Sequence, residues 1–233
     1  MLFRPLLPES VRLAEMPPAE ADPAHLYPEE LRHIERAVEK RRREFAAGRL
    51  LAREALASAG IADDLRLRAL LPESDRCPQW PEGVVGSITH CASLCAVAVA
   101  HAHDCAGLGL DVEPAQPLKS ELLPQIVRPE EFERFAALPD AVRALGGIAA
   151  FAMKEALYKA IYPIRRRFLE FHDVEILRVG GVSDIAHAAA DWRGEFEAIV
   201  RVEGASPPEH PRIFGRCRIA QGHVAAAVFL PAA

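Results

Sequence analysis

Two stretches of helical periodicity, each followed by short β-like runs, constrain this chain more than any other feature. Residues 29–59, EELRHIERAVEKRRREFAAGRLLAREALASA, set Leu31, Ile34, Val38, Phe45, Leu51 and Leu56 among charges, a spacing that gives a helix one apolar stripe. That helix is expected to end at Gly60, with Gly48 the place where it would break. After a loop marked by Pro72, Pro78 and Pro81, the segment VVGSITHCASLCAVAVAHA alternates Cys95, Val97, Val99 and His101 with small Ala residues and reads as a strand after a turn at residues 89–93. AGLGLDVEP reads as a second strand, stopped by Pro114, and the two are expected to form a hairpin. Helical periodicity returns over residues 129–161 in two pieces, one around 130–137 and one from about 147 to an end near Pro163. VEILRV, GEFEAIVRV, RIFGRCRI and HVAAAVFL then read as strands, and residues 1–28 as an extended lead-in with one short strand. This order predicts an α+β fold with two comparable halves, residues 1–110 and 111–233, forming one structural unit. No residue-by-residue internal repeat is visible at this stage.

Charge and cysteine usage narrow the function classes. The 233 residues carry 28 Lys plus Arg against 33 Asp plus Glu, a net charge of −5, which argues against a protein that coats nucleic acid. An anionic ligand must therefore meet a local basic cluster. The longest apolar run, residues 144–153, is far short of the ~20 residues of a membrane span, and the prolines and glutamate of MLFRPLLPESVR do not suit a signal peptide. Five cysteines without export signals point to a reducing compartment, so the expectation is a cytoplasmic protein.

Candidate chemistry begins with Asp111 and Glu113, which a strand projects from one face a few ångströms apart. Paired carboxylates attract a hard cation such as Mg²⁺, although a solvated strand face carries D-x-E equally well. Glu155 and Lys159, one turn apart in FAMKEALYKA, read either as a surface pair worth about 0.3–0.5 kcal/mol or as working groups beside the core, given Phe151, Leu157 and Tyr158 around them. Arg41, Arg42, Arg43, Arg49 and Arg53 load one helix with guanidinium groups that match phosphate oxygens, or else pair with glutamates 35, 39, 44 and 54 on a wet surface. Arg76 sits in a proline-rich loop. GSITH, residues 86–90, offers a phosphate-binding turn, with His90 equally readable as a half-buried histidine. Cys91-x₃-Cys95 with Cys105, His101 and His103 meets only half of a zinc spacing, and Cys95 reads as a small hydrophobe in an apolar strand.

Taken together, GSITHC (86–91), GLDVEP (109–114) and FAMKEALYKA (151–160) resemble, in order and spacing, the three motifs of Sfp-type 4′-phosphopantetheinyl transferases, in the branch that includes enterobactin synthase component D and the mycobacterial enzymes. RRREFAAGRLLAREAL (41–56) and WPEGVVGSITHC (80–91) add to the resemblance, which spans residues 41–171. It implies a pseudo-dimeric fold with the active site in the cleft between two α+β halves, hence a monomer with a whole site. It also implies Mg²⁺-dependent transfer of the phosphopantetheine arm of coenzyme A to a serine of an apo acyl or peptidyl carrier protein, releasing 3′,5′-ADP, in siderophore, polyketide or nonribosomal peptide synthesis.

By that resemblance Asp111, Glu113 and Glu155 are the Mg²⁺ ligands. Glu155 is the candidate acceptor of the serine proton, directly or through a water, and Lys159 either stabilises the transferring phosphoryl group or protonates the leaving phosphate. Arg41, Arg49 and Arg53 meet the nucleotide phosphates, Arg76 borders the adenine, Thr89 and His90 meet the 3′-phosphate or pyrophosphate, and Leu169 lies near the pantetheine arm. Lys154 is either structural or a phosphate contact, and Arg165, Arg166 and Arg167 form either a docking patch for an acidic carrier or a solvated loop. The rival expectations are a Mg²⁺-dependent nucleotide pyrophosphohydrolase and a protein that holds coenzyme A without turning it over.

Overall fold

The computed structural model describes residues 1–182 and 191–232. In chain order the elements are β1 (Arg12–Met16), α1 (Pro28–His33), α2 (Glu39–Ser58), α3 (Asp63–Arg66), β2 (Val84–His90), β3 (Cys95–His101), β4 (Cys105–Pro114), α4 (Leu123–Ile126), α5 (Pro129–Ala136), α6 (Asp140–Arg143), α7 (Gly146–Arg165), β5 (Val174–Val182), β6 (Asp191–Val200), β7 (Ile213–Ala220) and β8 (His223–Pro231). They form an α+β fold with two antiparallel sheets, ordered β1-β3-β2 and β4-β8-β7-β6-β5.

The expected hairpin of β3 with β4 does not form. The tight hairpin is β2 with β3, paired from Val84↔His101 to His90↔Cys95, while β4 crosses to the other sheet and pairs with β8. Residue 110, the expected boundary between the halves, thus falls inside a strand of the five-stranded sheet. The reason lies in side-chain size. On β3, Cys95, Val97 and Val99 pack under α2, whereas Ala96, Ala98 and Ala100 face the opposite way, toward Leu108, Leu110 and Val112 of β4. Small residues on that face let the two sheets approach and share a core, so β3 is buried on both sides.

The helical reading also needs adjustment. Residues 29–59 contain two helices separated at residues 34–38, and the chain does not break at Gly48. Gly48 is buried under Ile88, whose Cγ2 would lie 3.1 Å from an added Cβ, so it serves close packing of α2 on β2. At the other end α7 runs through Pro163 to Arg165, two residues further than expected. A proline in the last turn removes a single helical hydrogen bond, a cost the packing of the α7 apolar face can absorb.

Strand β4 decides where the site lies. Its even-numbered residues Leu108, Leu110 and Val112 enter the core between the sheets. Its odd-numbered residues Gly107, Gly109, Asp111 and Glu113 share the other face by alternation. At Gly109 an added Cβ would sit 1.8 Å from the carbonyl oxygen of Ala156, and at Gly107 2.5 Å from that of Ala160. These two glycines bring the α7 backbone against β4, which places Glu155 and Lys159 beside the acids that follow them on the strand.

The halves are further stitched along the edges of β2 and β4 without a backbone ladder. Ser87 Oγ accepts from the Leu110 amide at 3.0 Å and Thr89 Oγ1 from the Val112 amide at 3.1 Å, so two buried hydroxyls satisfy strand donors that would otherwise be orphaned.

Candidate functional site

A cleft of about 710 Å³ opens between the halves, walled by α2 and β2 on one side and by β4 and the second half of α7 on the other, with the loop at residues 72–78 along its rim. Arg41, Arg49, Arg76, Thr89, His90, Asp111, Glu155 and Lys159 all line it. Sequence motifs far apart in the chain are therefore brought to one place.

The α2 wall is cationic and internally braced. Arg49 is buried, stacks its guanidinium 3.8 Å over the Phe45 ring and donates Nε to the Leu70 carbonyl at 3.0 Å. Burial lowers its pKa to about 10, partly offset by Glu30, so the group stays charged at neutral pH and is poorly hydrated. Arg41 donates to His90 Nε2 at 3.0 Å, which leaves His90 Nδ1 to carry the proton toward Glu44, 3.7 Å away. Burial pushes the His90 pKa down, against Glu44, and a neutral ring that accepts from Arg41 is consistent with that.

The α7 wall holds the acids. Lys159 Nζ donates to Asp111 Oδ1 at 2.7 Å and to the Leu110 carbonyl at 3.0 Å, and Thr89 Oγ1 donates to the same Oδ1 at 3.3 Å. The other oxygen, Asp111 Oδ2, is buried with no hydrogen-bond partner. Burial and then Asp111 raise the Glu113 pKa to about 7, with Lys159 opposing, and burial raises that of Glu155. An orphaned carboxylate oxygen beside two acids whose ionisation is penalised is the donor chemistry a hard divalent cation would relieve. Among the described residues no group of three acid, His or Cys side chains is already set at metal-holding geometry, and Glu113 does not line the cleft. The residues present nevertheless fit Mg²⁺, with Asp111 Oδ2 as the clearest ligand atom.

Several expectations are placed elsewhere. Arg53 does not reach the cleft: it donates to both oxygens of the fully buried Glu30 at 3.1 and 3.0 Å and to the His25 carbonyl. Lys154 does not line the cleft: it is buried and donates to Glu131 at 2.8 Å and to the carbonyls of Ile126 and Phe171. Leu169 lines a second hollow of about 660 Å³ with Phe151, Phe168 and Phe171, and this hollow shares Glu155 and Tyr158 with the cleft. Arg165 and Arg167 donate to the carbonyls of Gly204 and Glu203 and stay exposed, whereas Arg166 has its charge paired with Glu73 and Asp75. Cys95 is buried in its strand and all five cysteines are unpaired. Sequence reasoning named Glu44 only as a surface partner of the arginines and Tyr158 only as a flank of Glu155, whereas both line the cleft, each three residues along a helix from Arg41 and Glu155 respectively.

Comparison with known proteins agrees with the architecture. Residues 29–100 match the 4′-phosphopantetheinyl transferase N-terminal domain and residues 107–201 match the 4′-phosphopantetheinyl transferase superfamily. The chain is 32% identical to the 4′-phosphopantetheinyl transferase Npt of Nocardia iowensis over 97% of its own length and 99% of that protein. It is 33% identical to PptT of Mycobacterium tuberculosis over 87% of itself and 85% of the relative. Svp of Streptomyces mobaraensis is 42% identical over 65% of this chain, which spans 60% of that relative's length. Enterobactin synthase component D of Salmonella typhi aligns with only 53% of the chain, so that branch is the more distant part of the expected likeness. The chain belongs to the Sfp-type 4′-phosphopantetheinyl transferases, enzymes that move the phosphopantetheine arm of coenzyme A onto carrier proteins.

Proposed function

We propose that the cleft binds coenzyme A with its nucleotide against the arginines of α2 and its arm in the apolar hollow, and that Glu155 and Lys159 act at the junction. The observation that carries this reading is that Glu155 and Tyr158 line both cavities. A charged, cation-walled space and an apolar one meet at a carboxylate, which matches a ligand with a nucleotide at one end and an uncharged arm at the other.

In this reading Arg41, Arg49, Thr89 and His90 hold phosphate oxygens and Arg76 borders the adenine. Asp111, Glu113 and Glu155 hold Mg²⁺, which when bound offsets charge on the pyrophosphate and eases departure of the nucleotide. Glu155 takes the proton of the carrier serine directly or through a water. Lys159 leaves Asp111 Oδ1 and Leu110 to face the phosphoryl group during transfer. The serine oxygen bonds to the phosphorus that bears the arm, the bond to the departing 3′,5′-ADP oxygen breaks, and positioning with charge neutralisation does most of the work. Leu169 packs beside the arm. The proposal includes an acyl or peptidyl carrier as acceptor, action as a monomer and a cytoplasmic location; no helix of the described residues is long and apolar enough to cross a membrane.

The test is mass spectrometry of a panel of apo carriers incubated with the protein, coenzyme A and Mg²⁺. Each accepted carrier should gain one phosphopantetheine on serine, and chelation should abolish the gain until Mg²⁺ is restored. Release of nucleotide without a modified carrier, or transfer that persists under full chelation, would refute this reading.

A further inference from the structure

The loop at residues 72–78 and the end of α7 come from different halves, yet they are locked together at the cleft rim. Pro72 bridges Pro78, and the turn inside is closed by Glu73 N to Cys77 O at 2.8 Å and Arg76 N to Glu73 O at 2.9 Å. From the other half, Arg166 reaches Glu73 through both terminal nitrogens, NH2 donating at 3.1 Å, and also donates to Asp75 at 2.9 Å. Tyr162 Oη adds a hydrogen bond to the same Asp75 oxygen at 2.8 Å.

The backbone marks these two segments as well. Among the described residues three non-glycine residues have positive φ, and two of them are Arg76, at 70°, and Arg166, at 48°. An L-residue in this region costs energy that surrounding contacts must supply. At Arg76 the turn aims a side chain at the cleft, and at Arg166 the left-handed end of α7 aims the guanidinium at the loop. The Cys77 amide first and then Tyr162 hold the Asp75 carboxyl below its usual range, and the hydrogen bond to Asp75 holds the Tyr162 phenol above its own.

We propose that Arg166 is a positioning residue for the nucleotide end of coenzyme A: its clamp on Glu73 and Asp75 holds the 72–78 loop, and with it Arg76, against the cleft. This rests on the reading of the cleft given above. Asp75 and Tyr162 line the cleft but Glu73 and Arg166 do not, so the effect of Arg166 passes through the position of the loop. Solvent screens partly exposed ion pairs of this kind, so the expected effect on binding is modest, about fivefold.

The experiment is a double-mutant cycle read by calorimetry and by transfer kinetics. Arg166→Gly suits the left-handed backbone while removing the clamp, and it should raise the coenzyme A KM and the Kd of 3′,5′-ADP about fivefold, with kcat changed less than about twofold. Phosphopantetheine, which lacks the nucleotide, should bind as before. In a Glu73→Gln, Asp75→Asn background the same substitution should have no further effect. Arg166→Lys should recover part of the loss, and Tyr162→Phe, which removes one hydrogen bond, should show a smaller rise in KM. An unchanged KM, a loss confined to kcat, equal weakening of phosphopantetheine, or full persistence of the effect in the acid-free background would overturn the clamp. If the wild-type protein fails to bind coenzyme A at all, it is the reading of the cleft that fails.

Discussion

The two halves are built on one plan, but only one of them sets its matched acid at the cleft. In the first, YPEEL opens α1, and buried Glu30 accepts from the Tyr27 amide at its own helix start, from the Leu70 amide and from Arg53 of α2. In the second, RPEEF opens α5, and buried Glu131 accepts from the Arg128 amide, from the Ile176 amide and from Lys154 of α7. The cation lies 23 residues after the glutamate in both. Around it the text repeats, Arg53-Glu54-Ala55-Leu56 against Lys154-Glu155-Ala156-Leu157. This is an internal repeat that the strand and helix pattern alone did not reveal, and it reassigns Arg53: it is the counterpart of Lys154, a brace beneath the site. The halves differ in what faces the brace's neighbour. Glu54 is exposed to water, whereas Glu155 meets β4 through the approach that Gly107 and Gly109 allow.

The sharpest way to break this comparison is to change the matched acids. Glu155→Gln should cut transfer by about 10²–10⁴-fold, the usual range for a lost acid-base group, while Glu54→Gln should leave the carrier-labelling rate unaltered. Comparable losses in both would mean that the repeat, and not the cleft, dictates the effect. The braces come next. Lys154→Met leaves Glu131 charged and sealed from water, with the pair only 1% and 0% exposed, and should cost about 3–5 kcal/mol in urea unfolding. Arg53→Met should cost less, about 1–3 kcal/mol, because Arg53 is 15% exposed and water can partly replace it. A smaller effect separates neighbours on α2. Arg49→Ala should raise the coenzyme A KM about tenfold and affect the 3′-dephospho analogue much less if it holds that phosphate. Arg53→Ala should change neither beyond about twofold, and equal losses for the two analogues in Arg49→Ala would refute the phosphate assignment.

What was legible in the sequence follows from how local each signal is. The helices of Arg49 and Glu155, the strand carrying Asp111 and the α+β order all come from periodicity within a single element. The likeness of the three short motifs and of residues 41–56 selected Arg41, Arg49, Thr89, His90, Asp111, Glu155 and Lys159, which the structure sets around one cleft. Strand partnership was not legible, because Cys95–His101 and Cys105–Pro114 are neighbours in the chain and only the size contrast of the β3 faces, Ala against Val, tells that β4 leaves for another sheet. Arg53 was misread for a related reason. A guanidinium on a basic helix looks alike whether it faces phosphate or a buried glutamate, and Glu30 is invisible as a partner until α1 folds back over α2. The Arg165 to Arg167 run, readable as a docking patch or a solvated loop, likewise gives no sign that Arg166 is held by the acids of the 72–78 loop from the other half.

The smallest effect concerns a seam that the repeat does not supply. Arg218 of β7 donates to Asp191 and to the carbonyls of Met1 and Leu2, while Glu15 accepts from the Leu2 and Phe3 amides, so the first residues are tied to the five-stranded sheet and to β1 together. Hydrogen bonds from Arg218, and secondarily from Arg193, pull the Asp191 pKa from 3.8 to about 2. A carboxyl whose folded value is depressed favours the native state while it is ionised. Its contribution is complete above the unfolded value and disappears as the pH falls through the folded one. Asp191→Asn should therefore lower the urea midpoint by a constant amount above about pH 4, and the gap to wild type should close toward pH 2. The difference will be modest, since Asp191 is open to solvent on one side and its pairing is screened there. Arg218, with its side chain 8% exposed, keeps the two backbone carbonyls in the variant, so the chain start stays docked at neutral pH. A gap between the two proteins that stays constant from pH 5 to the acid limit would show that ionisation of Asp191 contributes nothing to folding and would refute this linkage.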